Sequence, residues 1–318
     1  MCRTLILVNP LFDRQKSREL PRILRVFEKA GVTVQVMETE ANRRAGEQAR
    51  QAIAEGVERI VVCGGDGTVF DVLQGMAGSQ ASLGIIPFGT GNILAQNLKI
   101  PKDPTAAAQW ILAARPKDIP LGRISFCGGN ERQSWFFAMS AGMGVHAAMM
   151  TAAQRAKKDW SGRAAYFMAG LQLLFQHSLE PFDVEVTGTS GEVSHRRVCE
   201  AIAVRVSELN IWRPGGGFEF PFLRLATVET GPGQNGSRWR LARATYQGLF
   251  RAAGERHRRQ RAGAPARYED ATRIVCRRIE GFPYKVPLAV QADGEVLDAS
   301  CAVIELAGVS VQMLAADA

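Results

Sequence analysis

The stretch Ile60-Val61-Val62-Cys63-Gly64-Gly65-Asp66-Gly67-Thr68 is an apolar β run that breaks into glycines around one carboxylate. Glycines let the backbone take positive φ and approach a ligand closely, and free N–H groups at the start of a following helix favour an anion. The stretch therefore reads as a phosphate site. Further on, Leu83-Gly84-Ile85-Ile86-Pro87-Phe88-Gly89-Thr90-Gly91-Asn92 repeats the design: an apolar strand, a Gly-Thr-Gly turn, then a helical pattern. Two such turns at the ends of neighbouring strands face one crevice, the usual ligand position in an open α/β sheet.

Outward from this pair the same alternation continues. Thr4 to Val8 is a short apolar strand stopped by Asn9-Pro10, and Leu20, Ile23, Leu24 and Phe27 recur at helical spacing until Gly31. Thr33 to Met37 reads as a strand, Ala45 to Ala54 as a helix, and Ile93 to Leu98 and Thr105 to Ala114 as two more helices. Strands separated by single helices predict a parallel sheet covered on both faces. From Leu121 the rhythm changes. Arg123 to Cys127 and Trp135 to Ser140 flank a Gly128-Gly129-Asn130 turn, and strand-like runs follow at Phe182 to Val186, Val198 to Val206, Leu223 to Val228, Trp239 to Ala242, Arg273 to Arg278, Leu288 to Ala292 and Ala302 to Leu306. The expected architecture is an α/β nucleotide-binding domain with a parallel sheet over 1–118 and a β-sandwich-rich domain over 119–318. One helical passage, Val145 to Leu179, interrupts the second domain; its apolar face at 164–179 is core or lines a lipid-chain pocket. Arg213 to Gly217 is a breaker, and Gly254 to Pro265 reads as an exposed loop.

With 318 residues, 46% of them hydrophobic and 22% charged, the composition is that of a soluble globular protein of two domains and excludes a disordered or disulfide-built chain. Six cysteines are scattered without a C-x-x-C pair, which disfavours a structural zinc and makes reduced thiols in a cytoplasm the expectation. The N-terminus has no signal-peptide pattern, and no uninterrupted apolar run is long enough to cross a membrane. The net charge of +8 is local: between Arg238 and Arg278 stand twelve arginines against Glu255, Glu269 and Asp270. That stretch is either a solvated basic loop or an attraction for anionic lipid headgroups. Nucleic acid is not expected, because no recognition motif accompanies the arginines.

A P-loop, a G-x-S-x-G elbow and an H-E-x-x-H helix are all missing, and Gly142-Met143-Gly144-Val145-His146-Ala147 fits G-x-G-x-x-A outside any β-α-β unit, so it is assigned to tight packing. The combination of Gly64-Gly65-Asp66-Gly67-Thr68 with Pro87-x-Gly89-Thr90-Gly91-Asn92 is far more specific. Together with Asp293-Gly294-Glu295 in Val290 to Leu297, it resembles the diacylglycerol kinase catalytic family, which includes sphingosine kinases and bacterial lipid kinases. Taken alone, Asp293-Gly294-Glu295 reads as a hairpin turn.

The resemblance implies transfer of a phosphoryl group from ATP to a lipid hydroxyl of diacylglycerol or sphingoid type, with Mg²⁺, in a cytoplasmic enzyme docked peripherally on an anionic membrane. A homodimer is compatible with it. On the matching positions Asn9, Pro10 and Thr39 contact the nucleotide, and Gly64, Gly65, Asp66, Gly67, Thr68, Asp71, Gly89, Thr90, Gly91 and Asn92 hold its phosphates. Asp66 orients the phosphate-bound Mg²⁺, and Glu295, supported by Asp293, is the general base. Phe70, Asp71, Ile93 and His146 depart from the family pattern, and the region from Phe218 to Glu229 lacks a second acidic segment for a structural metal, whose ligands stay unassigned. Two other readings remain open: a noncatalytic nucleotide- or lipid-binding protein of the same fold, and an NAD kinase.

Overall fold

The structure is a computed structural model that describes residues 3–10, 19–40, 45–128, 131–145, 147, 180–205, 222–230, 266–285 and 288–315. The chain divides into two compact units, Met1–Leu121 with Ala307–Ala318, and Gly122–Leu306.

The first unit alternates strands and helices as the apolar periodicity requires. β1 (Thr4–Val8), α1 (Glu19–Lys29), β2 (Val34–Glu38), α2 (Ala45–Ala54), β3 (Arg59–Gly64), α3 (Asp66–Met76), β4 (Ser82–Pro87), α4 (Ile93–Asn97) and α5 (Pro104–Ala113) follow in order. β1 pairs in parallel with β2 on one side and β3 on the other, β3 with β4, and β4 with the end of the last strand, β14 (Cys301–Ala315), through Gln312 and Met313. The order β2-β1-β3-β4-β14 therefore reverses direction at β1 and β3. β1 and β4 are buried along their whole length, as the unbroken apolar runs demand, whereas edge strand β2 leaves Val36 exposed. α5 starts on Asp103, whose Oδ1 accepts the Ala106 N–H at 2.8 Å, with Pro104 in its first turn.

α2 and α3 cross with almost no space between them. A Cβ on Gly75 would overlap the Gly46 carbonyl, and one on Gly46 would overlap the Asp71 carbonyl. Two glycines facing each other let the helix backbones touch.

The second unit is rich in strands: β5 (Arg115–Gly128, its first residues in the first unit), β6 (Glu131–Phe137), β7 (Ser140–Gly144), β8 (Phe182–Gly188), β9 (Val193–Val204), β10 (Leu223–Glu229), β11 (Arg267–Arg277), β12 (Ala289–Ala292) and β13 (Glu295–Asp298), with the first part of β14. Its ladders are antiparallel. β8 pairs with β9 and β11, and β10 pairs with the same two strands, so these four close a circuit. Phe182, Val184, Val186, Ile274 and Cys276 are buried along it. β7, β12 and β13 extend the sheet from β9.

Three expectations need correction. The run from Trp135 to Ser140 is two strands, because the backbone N–H groups of Ala138, Met139 and Ser140 are taken by the Asp293 carboxylate instead of a ladder. The last strand, assigned by the sequence to everything after 119, counts with the first unit from Ala307 onward, since its end adds to β4. The cysteines are not all reduced: β5 pairs with β14, and this brings Cys127 and Cys301, 174 residues apart, into a disulfide, while Cys63, Cys199 and Cys276 are buried outside any disulfide.

Gly142 and Gly144 do serve close packing, because a Cβ on either would collide with the β9 backbone. The helical passage beyond Ala147, the breaker at Arg213 to Gly217, the strand at Trp239 to Ala242, the loop at Gly254 to Pro265, His146 and most of the arginine-rich stretch lie outside the described residues.

Candidate active site

In an open α/β sheet, the crevice opens beyond the carboxyl ends of the strands where their order reverses. Here that point lies between β1 and β3, and the sequence-selected residues of the first unit collect at it. Asn9 follows β1; its Nδ2 donates to Thr68 Oγ1 at 2.9 Å in the first turn of α3, spanning the switch point, and its N–H donates to Cys63 O at 3.0 Å. Pro10 follows directly, half-buried. Thr39, just past β2, ties back to β1 by donating its N–H to Val8 O at 2.9 Å.

Gly64 closes β3, Gly65 is the N-cap of α3 with extended φ, and Asp66, Gly67 and Thr68 make its first turn. No side chain caps that end. The second glycine turn packs directly on the first: a Cβ on Gly89 would lie 2.7 Å from the Gly65 Cα, and the Phe88 N–H donates to Gly64 O at 2.9 Å. Asn92, in the left-handed region at φ 49°, holds this turn with its side-chain amide, accepting from Gly89 N at 2.9 Å and donating to Gly89 O at 2.6 Å. Asp66 joins the two turns. Its Oδ1 accepts the Ile93 N–H at 2.8 Å, while a Cβ on Gly91 would come 2.7 Å from its Oδ2. Thr90 is exposed between these glycines, and Asp71 sits half-buried one turn along α3.

Two departures from the family pattern find a physical account here. Phe70 is 4% exposed and belongs to the core. Ile93 contributes a backbone N–H to Asp66, which any residue other than proline could supply.

In the second unit Asp293 and Gly294 form the two-residue turn between β12 and β13, with φ 46° and 99°. Positive φ at both positions is the type I′ geometry that suits the twist of a tight hairpin and explains the Asp-Gly pair. The hairpin reading is therefore correct as far as the backbone goes. Glu295 opens β13 opposite Ala292 and is half-buried. Asp293 does more than turn. Its Oδ2 accepts from Ala138 N at 2.6 Å and its Oδ1 from Met139 N and Ser140 N, both at 2.8 Å. Gln291, fully buried and not singled out by the sequence, reaches Ser140 Oγ at 3.4 Å and accepts from Gly294 N at 3.3 Å. No local signal marks it, since every residue of β12 is buried.

The described arginines of the basic stretch are largely engaged. Arg267 pairs with Glu269, Arg273 with Glu185 and Glu305, Arg277 with Glu185, and the Arg278 guanidinium lies 4.2 Å from the centre of the Tyr284 ring. Arg196 contacts Glu269, yet burial, reinforced by the nearby Arg267 charge, pushes its pKa down to about 10. Among the described residues no three His, Cys, Asp or Glu side chains converge as a metal cage, and no helix is long and apolar enough to cross a membrane.

An open parallel sheet with two interlocked glycine turns at its switch point defines the class: an α/β fold with its ligand crevice at the ends of β1, β3 and β4. Residues 3–124 match the family model of the diacylglycerol kinase catalytic domain. A diacylglycerol kinase of Mycobacterium tuberculosis (strain H37Rv) is 38% identical over 140 residues, 43% of this chain and 44% of that protein. One of Bacillus subtilis (strain 168) is 30% identical over 190 residues, 58% of this chain and 59% of that protein. The matches thus take in about half of the length of these curated relatives. A crystal structure of a diacylglycerol kinase from Bacillus anthracis superposes with a TM-score of 0.61 at 18% identity, covering 99% of this chain and 97% of that one. Yeast NADH kinase complexed with NADH shares the fold at a TM-score of 0.51 and 9% identity, covering 99% of this chain and 84% of that one.

Proposed function

We propose that the chain is an ATP-dependent lipid kinase that phosphorylates a lipid hydroxyl of diacylglycerol or sphingoid type. The observation that carries the reading is Asp66, bridging two glycine turns at the sheet's switch point within the segment that matches the family model. The glycines let the two turns pack against each other where any side chain would collide with a neighbour, and the N-terminus of α3 adds N–H groups suited to phosphate oxygens. Phosphoryl transfer asks chiefly for positioning and for charge stabilisation, and this cradle suits both.

Asn9, Pro10 and Thr39 flank the nucleotide in this reading, and Gly64 to Thr68, Asp71 and Gly89 to Asn92 hold its phosphates. Mg²⁺ bound to ATP would supply neutralisation of the phosphate charge. Asp66 is the carboxylate suited to orient it through water. A single carboxylate fits an ion held mainly by phosphates and water better than a dedicated protein cage. Glu295 takes the proton of the attacking hydroxyl in this reading. A lipid substrate and an arginine-rich stretch are consistent with peripheral docking on an anionic membrane from the cytoplasm; a homodimer is compatible with the reading.

Incubation with ATP, Mg²⁺ and mixed diacylglycerol, sphingoid-base and prenol micelles should give a labelled lipid that disappears in Asp66→Ala. ATP binding without turnover on any pool would favour a noncatalytic protein of this fold. Formation of NADP from NAD would instead favour the chemistry of the NADH-kinase-like neighbours.

A further inference from the structure

We infer that Asp293 and Gln291 act as positioning residues, a hydrogen-bonded clamp that fixes the hairpin carrying Glu295, and that Asp293 takes no part in proton transfer. The inference rests on Glu295 being the base in the reading above. Its observations are hydrogen bonds within the second unit.

The Asp293 carboxylate accepts three consecutive backbone N–H groups, from Ala138, Met139 and Ser140, at 2.6 to 2.8 Å. Successive N–H groups aimed at one anion form a nest, and the anion here is the protein's own side chain. These bonds occupy three of the carboxylate's about four acceptor sites. Its backbone N–H meanwhile donates to Ser140 O at 2.9 Å, extending the β12–β7 ladder, so main chain and side chain grip the same corner. Gln291 adds a second strut, bonding Ser140 Oγ with its Nε2 and Gly294 N with its Oε1. Glu295 is two residues from Asp293 and starts the return strand, so the turn's left-handed dihedrals set the path of the backbone that carries it. Mispositioning a base by about 1 Å can cost on the order of 100-fold in rate.

The conservative variant separates a clamp from a base. Asparagine can place its one oxygen where Oδ1 accepts from Met139 and Ser140, keeping two of the three bonds, whereas alanine keeps none. As a proton acceptor, asparagine is as inert as alanine. The test measures amide exchange at residues 138–140 and steady-state kinetics with ATP, Mg²⁺ and diacylglycerol micelles in Asp293→Asn, Asp293→Ala, Gln291→Met and Glu295→Gln. A clamp predicts exchange faster by about tenfold or more in Asp293→Ala, less in Asp293→Asn, and unchanged in Glu295→Gln. It also predicts kcat at least about tenfold higher in Asp293→Asn than in Asp293→Ala, with KM for ATP close to wild type in both. Gln291→Met, which leaves the carboxylate in place, should lower kcat severalfold and speed exchange at Gly294.

Equal loss of kcat in Asp293→Asn and Asp293→Ala, or unchanged exchange at 138–140 in Asp293→Ala, would overturn the clamp. A wild-type protein that phosphorylates no lipid would sink the proposed function while leaving the exchange measurements to decide the clamp on their own.

Discussion

Asp66 shows how one side chain can hold a site together and serve its chemistry. Its Oδ1 bond to the Ile93 N–H is structural, and an amide oxygen could accept it equally well; its charge is what a phosphate-bound cation would need. Asp66→Asn should therefore keep the melting temperature within a few degrees while lowering lipid phosphorylation by at least about 100-fold, the scale seen when one preorganised electrostatic group is removed. Full activity in that variant would show that the charge has no catalytic part. Cys276 makes the opposite point, a reactive residue type rendered inert. Burial, with the Glu200 charge adding to it, pushes its thiol pKa up to about 12 from the ordinary 9.0. Between these values only the unfolded chain ionises at this position, so its contribution to stability is whole below pH 9.0 and falls as pH rises towards 12. Native protein treated with iodoacetamide at pH 8 should leave Cys276 unmodified by peptide mass spectrometry, and urea should expose it to full alkylation. Rapid native labelling would contradict the burial.

At the scale of elements, the α2–α3 crossing determines how α3, and with it the first glycine turn, is seated. With Gly46 and Gly75 against each other, a single added methyl at Gly75 must push the helix backbones apart. Gly75→Ala should cost about 1–3 kcal/mol despite the better helix propensity of alanine, because overpacking outweighs the propensity gain of about 1 kcal/mol. A urea melt decides the sign; a variant more stable than wild type would mean that the helices separate easily.

What was legible in the sequence follows the same physics. Strands β1, β3 and β4 and the glycine turns were visible because apolar runs and glycine breaks are local signals, and Asp-Gly marks its own type I′ turn. The division of one strand at Ala138–Met139 was not, since its cause, Asp293, lies more than 150 positions away. Gln291 stayed hidden for a related reason: a buried amide in a strand has no local pattern that separates it from a solvated one.

For the molecule as a whole, the chain passes from the first unit to the second along β5 and returns along β14. The Cys127–Cys301 disulfide ties these two strands together on the second unit's side, where Ser300 N–H also donates to Cys127 O at 3.0 Å and Arg123 pairs with Glu305 at 2.6 Å. It closes a loop holding nearly the entire second unit. A cross-link acts largely by restricting the unfolded chain, and the restriction grows with the loop it closes. Reduction, or the paired substitution Cys127→Ser with Cys301→Ser, should therefore lower unfolding free energy by about 2–4 kcal/mol without changing the native circular dichroism spectrum. Thiol titration in denaturant without reductant should find four reactive groups among the six cysteines. Six reactive groups from protein prepared under oxidising conditions would show that the bond does not form. A reduced wild type as stable as the oxidised one would show that the paired strands hold the loop closed unaided.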